Sequence, residues 1–94
     1  MTTRIHRTRL LEILGNDEEI VARLVAEGLI VDRPGGFEHR DVERVLVTRT
    51  LVRDLDVNWA GVEVILRMRE QLRATQRQVA EMLEVLREAA ERRR

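Results

Sequence analysis

Side chains that could perform catalysis are scarce in this chain. His6 and His39 are its only histidines, and it contains no cysteine. A zinc site or an activated nucleophile needs several such groups together, so the sequence predicts neither a metal site nor a catalytic dyad. Gly35-Gly36 fits a hairpin turn and lacks the flanking residues of a phosphate-binding loop. We therefore expect a protein that is not an enzyme and that uses no cofactor.

The charge balance limits the classes of molecule that this protein is expected to bind. Charged residues make up 36% of the chain, 17 basic against 17 acidic, for a net charge of zero. A domain built mainly to neutralise phosphates is usually clearly basic, so this balance argues against nucleic acid as the principal partner. No apolar stretch approaches the roughly 18 residues that a membrane helix requires. Residues 1–9 are charged with no apolar segment behind them, unlike a secretion signal. We expect a cytoplasmic protein without membrane contact.

Two short helices are predicted near the N-terminus. Thr8 can cap the first, and Gly15 can adopt the left-handed conformation that ends it. Asn16 is predicted to begin the second helix, with Glu19 completing an approximate capping box, and Gly28 to end it. The tight turn between the helices indicates a helix-turn-helix. The predicted buried stripe of the second helix is Ile20, Leu24 and Val25.

A short β wing and a third helix are predicted next. Leu29-Ile30-Val31 is typical of a strand, residues 32–36 of a turn, and Phe37 returns the chain to the core. The third helix is expected from about His39 to Asp54. Its predicted inner face consists of Val42, Val45, Leu46, Val52 and Leu55.

The longest element is predicted to begin at Asn58, whose side-chain oxygen can accept a hydrogen bond from a free N–H of the first turn. No proline follows, and Gly61 is the last glycine, so the helix can continue to about Arg92, roughly 50 Å at 1.5 Å per residue. The chain therefore divides into a winged helix-turn-helix region at 1–57 and a long helix at 58–94, within one structural domain. Trp59, Val62, Ile65 and Leu66 share one face of the first turns of that helix.

Apolar residues repeat along the long helix at alternating spacings of three and four, as in a coiled coil. The rest of the chain is too short to cover this stripe, so we predict a homodimer, in an orientation that the pattern leaves open. The stripe is Ile65, Met68, Leu72, Thr75, Val79, Met82, Leu86 and Ala89, with Met68, Leu72, Val79, Met82 and Leu86 assigned to the dimer interface. Leu83 and Val85 flank the stripe, so its distal half is apolar more broadly than a strict two-stranded coil requires.

Three segments, in order along the chain, share the pattern of a known family. Residues 17–30 combine an acidic helix start with a Gly-Leu-Ile turn. Residues 37–45 form an aromatic-acidic helix start, and residues 51–62 contain a leucine-acidic-Trp-x-Gly junction. In these features the chain resembles the CbpM family of chaperone modulators, small relatives of the MerR-type winged-helix regulators. It departs from the family pattern at Ala60, where proline is frequent, and at Asp32-Arg33-Pro34, where proline usually follows the turn directly.

The resemblance implies a mostly α, MerR-like fold and a partner, the J-domain of a DnaJ/CbpA-like co-chaperone. Binding would block stimulation of a DnaK-type ATPase. The J-domain surface that engages DnaK is basic, so a competitor should present acidic groups beside apolar ones. The candidate partner-binding residues are Asp17, Glu18 and Glu19 in one cluster and Asp54, Asp56 and Trp59 in another.

Each candidate also has a purely structural interpretation. Carboxylates in the first turn of a helix complement its dipole. Trp59 can serve as a core anchor, and Asp54 and Asp56 as solvated charges at a helix end. Arg4, Arg7 and Arg9 near one end of the chain and Arg92-Arg93-Arg94 at the other are interpreted as solvated.

Two other functions are compatible with the sequence. One is a MerR-class DNA-binding repressor, such as the heat-shock repressors that share the Val-Asn-x-Ala-Gly-Val junction. The zero net charge and the acidic second helix oppose it, because carboxylates at that helix would repel phosphates. The other is a factor that bridges DnaK and its co-chaperone, which the sequence does not distinguish from a blocker.

Overall fold

A two-stranded antiparallel sheet joins the start of the chain to its middle. The computed structural model describes residues 4–93. Strand β1 (Arg4–Ile5) pairs with β2 (Phe37–Glu38), with Ile5 opposite Phe37. Gly36 precedes β2 at φ +99°, and a Cβ there would lie 2.6 Å from the carbonyl oxygen of Ile5, so only glycine fits this approach.

The strand predicted at residues 29–31 is wrong. Those residues lie outside the sheet, and the partner of Phe37 is instead Ile5, from a segment with no strand signal of its own. The predicted turn before Phe37 is confirmed, because the Gly36 N–H donates to the Arg33 carbonyl at 2.8 Å.

Helices make up most of the molecule, which confirms the predicted mostly α class. The helices are α1 (Arg7–Ile13), α2 (Glu18–Ala26), α3 (His39–Arg49) and α4 (Trp59–Arg92), and a π-helical turn (Thr50–Asp54) extends α3. In that turn the Leu55 N–H donates to the Thr50 carbonyl, five residues back. Among the described residues, no helix has the length and apolarity to cross a membrane.

The connection between α1 and α2 differs from its prediction at the helix starts. α1 begins after His6, not at Thr8. Gly15 is left-handed at φ +65°, as predicted, but Asn16 is left-handed too and belongs to the turn, so α2 begins only after Asp17. The predicted capping box from Asn16 to Glu19 is therefore wrong. At the other end of α2, Gly28 at φ +72° closes the helix as predicted.

That closure is a complete Schellman motif. The Leu29 N–H donates to the Leu24 carbonyl at 2.9 Å, and the Gly28 N–H to the Val25 carbonyl at 3.0 Å. Two carbonyls that the helix end would otherwise leave free are thereby satisfied.

The core is aliphatic except for Phe37. The buried apolar side chains are Leu10, Leu14, Ile20, Val21, Leu24, Ile30, Phe37, Val42, Val45, Val62 and Leu66. Leu46 and Leu55, predicted for the inner face of α3, are instead 40% and 63% exposed. For Leu55 the cause is the π-helical turn, because its wider winding breaks the 3.6-residue period that the prediction assumed.

Helix α4 starts and ends where the sequence predicts. The Gly61 N–H donates to Asn58 Oδ1 at 2.8 Å, which confirms Asn58 as the cap. The chain separates into two compact units, one up to Val62 and one from Glu63 onward. The boundary between the two units thus falls inside the first turns of α4.

Replacement of Asn58 by alanine is expected to lower the free energy of unfolding by about 1 kcal/mol, because the Gly61 N–H loses its acceptor. Asn58→Ser, which restores a capping oxygen, is the control and should recover most of that loss. Urea unfolding followed by circular dichroism measures both. Equal stability of Asn58→Ala and the wild type would show that the cap contributes nothing.

Candidate protein-interaction site

A groove of about 600 Å³ lies where α1 ends, α2 begins and the π-helical turn passes, and we call it the Arg53 groove. Its lining residues are Leu14, Gly15, Asp17, Leu46, Arg49, Thr50, Arg53 and Asp54. Asp17 and Asp54 come from the two separate acidic clusters of the sequence. The fold therefore brings one member of each cluster to the same groove.

Arg53 binds Asp17 through a bidentate ion pair. Its Nε lies 2.9 Å from Asp17 Oδ2 and its Nη2 3.0 Å from Asp17 Oδ1. The same Nη2 is 3.4 Å from Glu19 Oε2. Two parallel N–H···O bonds fix the guanidinium plane against the carboxylate, which is the strong form of this contact. Arg53 therefore ties the π-helical turn to the first turn of α2.

The ion pair keeps Asp17 ionised. The hydrogen bonds from Arg53 lower the pKa of Asp17 below its ordinary value of 3.8, against the opposing effect of partial burial. The Ile20 N–H also favours the ionised form, although Asp17 makes no cap hydrogen bond of normal geometry. In turn, Asp17 raises the pKa of Arg53. With its side chain only 16% exposed, Asp17 is occupied by Arg53 and is not a free carboxylate.

Glu18 and Glu19 are far more open than Asp17. Their side chains are 70% and 77% exposed. Glu18 Oε1 is 3.9 Å from Arg7 Nη2, and Arg7 Nη1 also lies 3.3 Å from Asp32 Oδ2. Exposed pairs of this kind contribute little stability and exchange readily. Both glutamates can therefore turn toward an incoming cation.

Asp54 and Asp56 are exposed carboxylates on unusual backbone. Asp54 ends the π-helical turn, and Asp56 has a left-handed φ of +58°. Neither forms an ion pair with another described residue. Sparsely populated backbone conformations persist only where the surrounding structure maintains them, and they are frequent at functional sites. Asp56 does not line the Arg53 groove.

Trp59 is partly buried and lies outside the Arg53 groove. The guanidinium carbon of Arg23 is 4.9 Å from the Trp59 ring centroid, a cation–π contact from α2. Arg23 Nε also donates to Glu27 Oε1 at 3.0 Å. One face of the indole is thus already covered by this chain.

Sequence reasoning did not single out the three arginines that organise this region, Arg23, Arg49 and Arg53. Asp17 and Arg53 are 36 positions apart, so no local spacing links them. The described residues contain no group of three or more histidine, aspartate or glutamate side chains placed to hold a metal ion.

Replacement of Arg53 by glutamine is expected to cause a modest loss of stability, since Arg53 is 42% exposed and water screens the pair. The depressed pKa of Asp17 fixes the pH dependence. The contribution is fully present above pH 3.8 and disappears as the pH falls through the lower pKa of the folded state. Urea unfolding of both proteins from neutral pH to below pH 3.8 measures this.

The matched control is Arg49→Gln, which removes an arginine from the same groove without breaking the bidentate pair. A stability difference between wild type and Arg53→Gln that stays constant below pH 3.8 would contradict an ionic origin.

Comparison of this chain with protein-family models, curated proteins and solved structures finds no match. A functional assignment accordingly depends on the three quoted sequence segments and on the geometry of the Arg53 groove.

Proposed function

We propose that this protein is a chaperone modulator. It binds the J-domain of a DnaJ/CbpA-like co-chaperone in the cytoplasm and blocks that domain from stimulating its DnaK-type ATPase. The observation that carries the proposal is that one member of each acidic cluster, Asp17 from the first and Asp54 from the second, lines the Arg53 groove. The protein acts by occupying a surface and catalyses no reaction.

The contact surface for a basic J-domain helix is formed by the open carboxylates. Glu18 and Glu19 at the start of α2, and Asp54 and Asp56 beyond α3, supply negative charge without strong internal partners. Leu46, 40% exposed in the groove, supplies an apolar contact. Charge complementarity of this kind speeds encounter and selects the partner, and adjacent apolar burial prolongs the complex.

Asp17 and Trp59 have supporting roles in this proposal. Asp17 orients Arg53 and so shapes the groove wall. Trp59, partly covered by Arg23, offers its remaining exposed surface at the edge of the interface. Partly exposed aromatic side chains of this type are frequent binding hot spots.

We assign the region up to residue 57 to a MerR-like winged helix-turn-helix. Its support is the element order, with α1 and α2 joined by the turn at Gly15-Asn16, followed by the turn at 33–36 and β2. DNA binding by this module is disfavoured. Arg33 Nη1 lies 3.5 Å from both Glu38 and Asp41, so the wing's basic residue is neutralised within the chain.

The active form in this proposal is a homodimer joined through α4. The five residues assigned to the interface are between 50% and 65% exposed in the single chain: Met68, Leu72, Val79, Met82 and Leu86. A continuous stripe of this length is stable in water when a second helix covers it.

Titration calorimetry against the isolated J-domain of the host's own DnaJ-like protein tests the function. The double change Glu18→Ala and Glu19→Ala should weaken binding on the order of tenfold, since two exposed charge pairs of up to ~1 kcal/mol each are lost. The double change Glu84→Ala and Glu88→Ala removes the same charge from the exposed side of α4 and should leave the affinity unchanged.

The same titration distinguishes the rivals. Absence of binding to every J-domain of the host overturns the proposal. Binding combined with undiminished stimulation of the DnaK-type ATPase would establish a bridging factor in place of a blocker. Equal weakening by both double changes would move the interface away from α2.

Met82→Glu or Leu86→Glu is expected to convert the homodimer to a monomer, because a carboxylate would be buried in the apolar interface without a partner. Sedimentation equilibrium gives the mass directly. Ala80→Glu, on the opposite side of α4, is the matched control and should remain dimeric. A dimeric Leu86→Glu protein would show that the interface lies elsewhere.

A further inference from the structure

We propose that the distal part of α4, residues 79–90, packs into a four-helix bundle, through which two homodimers associate into a tetramer. The inference rests on the proposed homodimer and concerns a surface that the homodimer leaves uncovered. It is carried by the distribution of apolar and charged residues around this part of the helix.

Two rows of residues border the coiled-coil stripe, one on each side, and we call them the flanking rows. Between residues 69 and 78 the flanking rows are polar, with Arg69, Gln71, Gln76 and Gln78. Between residues 79 and 90 they are apolar, with Leu83, Val85 and Ala90. The flanking rows therefore change from polar to apolar at Val79, while the central stripe continues through both segments.

The distal apolar face is too wide for one partner helix. Its members are Val79, Met82, Leu83, Val85, Leu86, Ala89 and Ala90. At about 100° per residue they span about 160° of the helix circumference. A two-stranded coil buries the central stripe and leaves its flanking rows half in water. Leu83 and Val85, 61% and 62% exposed in the single chain, would stay partly uncovered in a dimer.

A four-helix arrangement covers both flanking rows, because each helix then contacts two neighbours. Apolar residues in the flanking rows are what such bundles require, and charged residues in those rows are typical of dimers. The polar flanking rows at 69–78 are typical of a two-helix coiled coil, and the apolar flanking rows at 79–90 are typical of a four-helix bundle.

The charges of this segment indicate that the additional helices are further copies of the same chain. Arg87 forms ion pairs with Glu84 and Glu91, all three on the side away from the stripe. No charged residue occupies the stripe or its flanking rows from 71 to 90. A foreign basic or acidic helix would be matched by opposite charges in those rows. A neutral face meets its own copy without like-charge repulsion.

The mass of the full-length protein, by sedimentation equilibrium over a concentration series and by native mass spectrometry, tests the proposal. The wild type should reach four times the chain mass of 11.0 kDa. The double change Leu83→Glu and Val85→Glu should stop assembly at two copies, since it places charge in the flanking rows only. Ala80→Glu, which adds a carboxylate on the opposite side, should leave four copies.

Three results would overturn the tetramer. One is a wild type that stays at two copies at the highest soluble concentration. Another is a double variant that still reaches four copies. The third is an Ala80→Glu protein that falls to two copies with the double variant, which would trace the effect to added charge alone. Far-ultraviolet circular dichroism verifies that each variant is helical.

The J-domain titration gives an independent answer. A wild-type dimer that binds the J-domain overturns the tetramer and keeps the proposed function. A wild-type tetramer that binds no J-domain keeps the tetramer and overturns the proposed function.

Discussion

The bidentate pair between Arg53 and Asp17 determines how the site is built. It joins residues 36 positions apart, one at the start of α2 and one in the π-helical turn after α3. Glu19 adds a second carboxylate to the same guanidinium. Because two of the three guanidinium nitrogens, Nε and Nη2, make parallel bonds to the carboxylate, the pair holds the π-helical turn and the start of α2 in one orientation. Arg53 and Asp17 both line the Arg53 groove, and Asp54 follows Arg53 directly in the chain.

Helix α4 has two apolar faces in succession. Val62 and Leu66 are buried, and at about 100° per residue their mean direction lies about 130° around the helix from that of Val79 and Leu86. The charged residues of the distal half satisfy one another on the remaining surface, as Arg87 does with its two glutamates. In the proposed homodimer, the first turns of α4 would serve the folded domain and its last turns the interface.

Much of the fold could be predicted because its signals are local. Gly15 and Gly28 end helices through their own backbone freedom, and Asn58 caps a helix that begins at the next residue. Some errors occurred where distant segments decide the outcome, and others, such as the start of α2 at Asn16, concern the ends of helices. Nothing near Ile5 indicates that it pairs with Phe37, and nothing near Arg53 indicates Asp17. The sequence indicates the two acidic clusters as a possible surface, but that Asp17 and Asp54 line one groove depends on the tertiary fold. The interface residues on α4 remain a prediction, because their partner lies outside a single chain.

The Arg53–Asp17 contact links the substitutions that two distant positions of this chain can accept. A neutral residue at position 17 would leave Arg53 with Glu19 alone, and a neutral residue at position 53 would leave the mostly buried carboxylate of Asp17 without its guanidinium. An exchange of the two charges would preserve the bond but place a guanidinium at the start of α2, where the helix dipole disfavours positive charge. An acidic residue is therefore favoured at position 17 and a basic residue at position 53. The same fold is therefore expected to accept the loss of both charges more readily than their exchange.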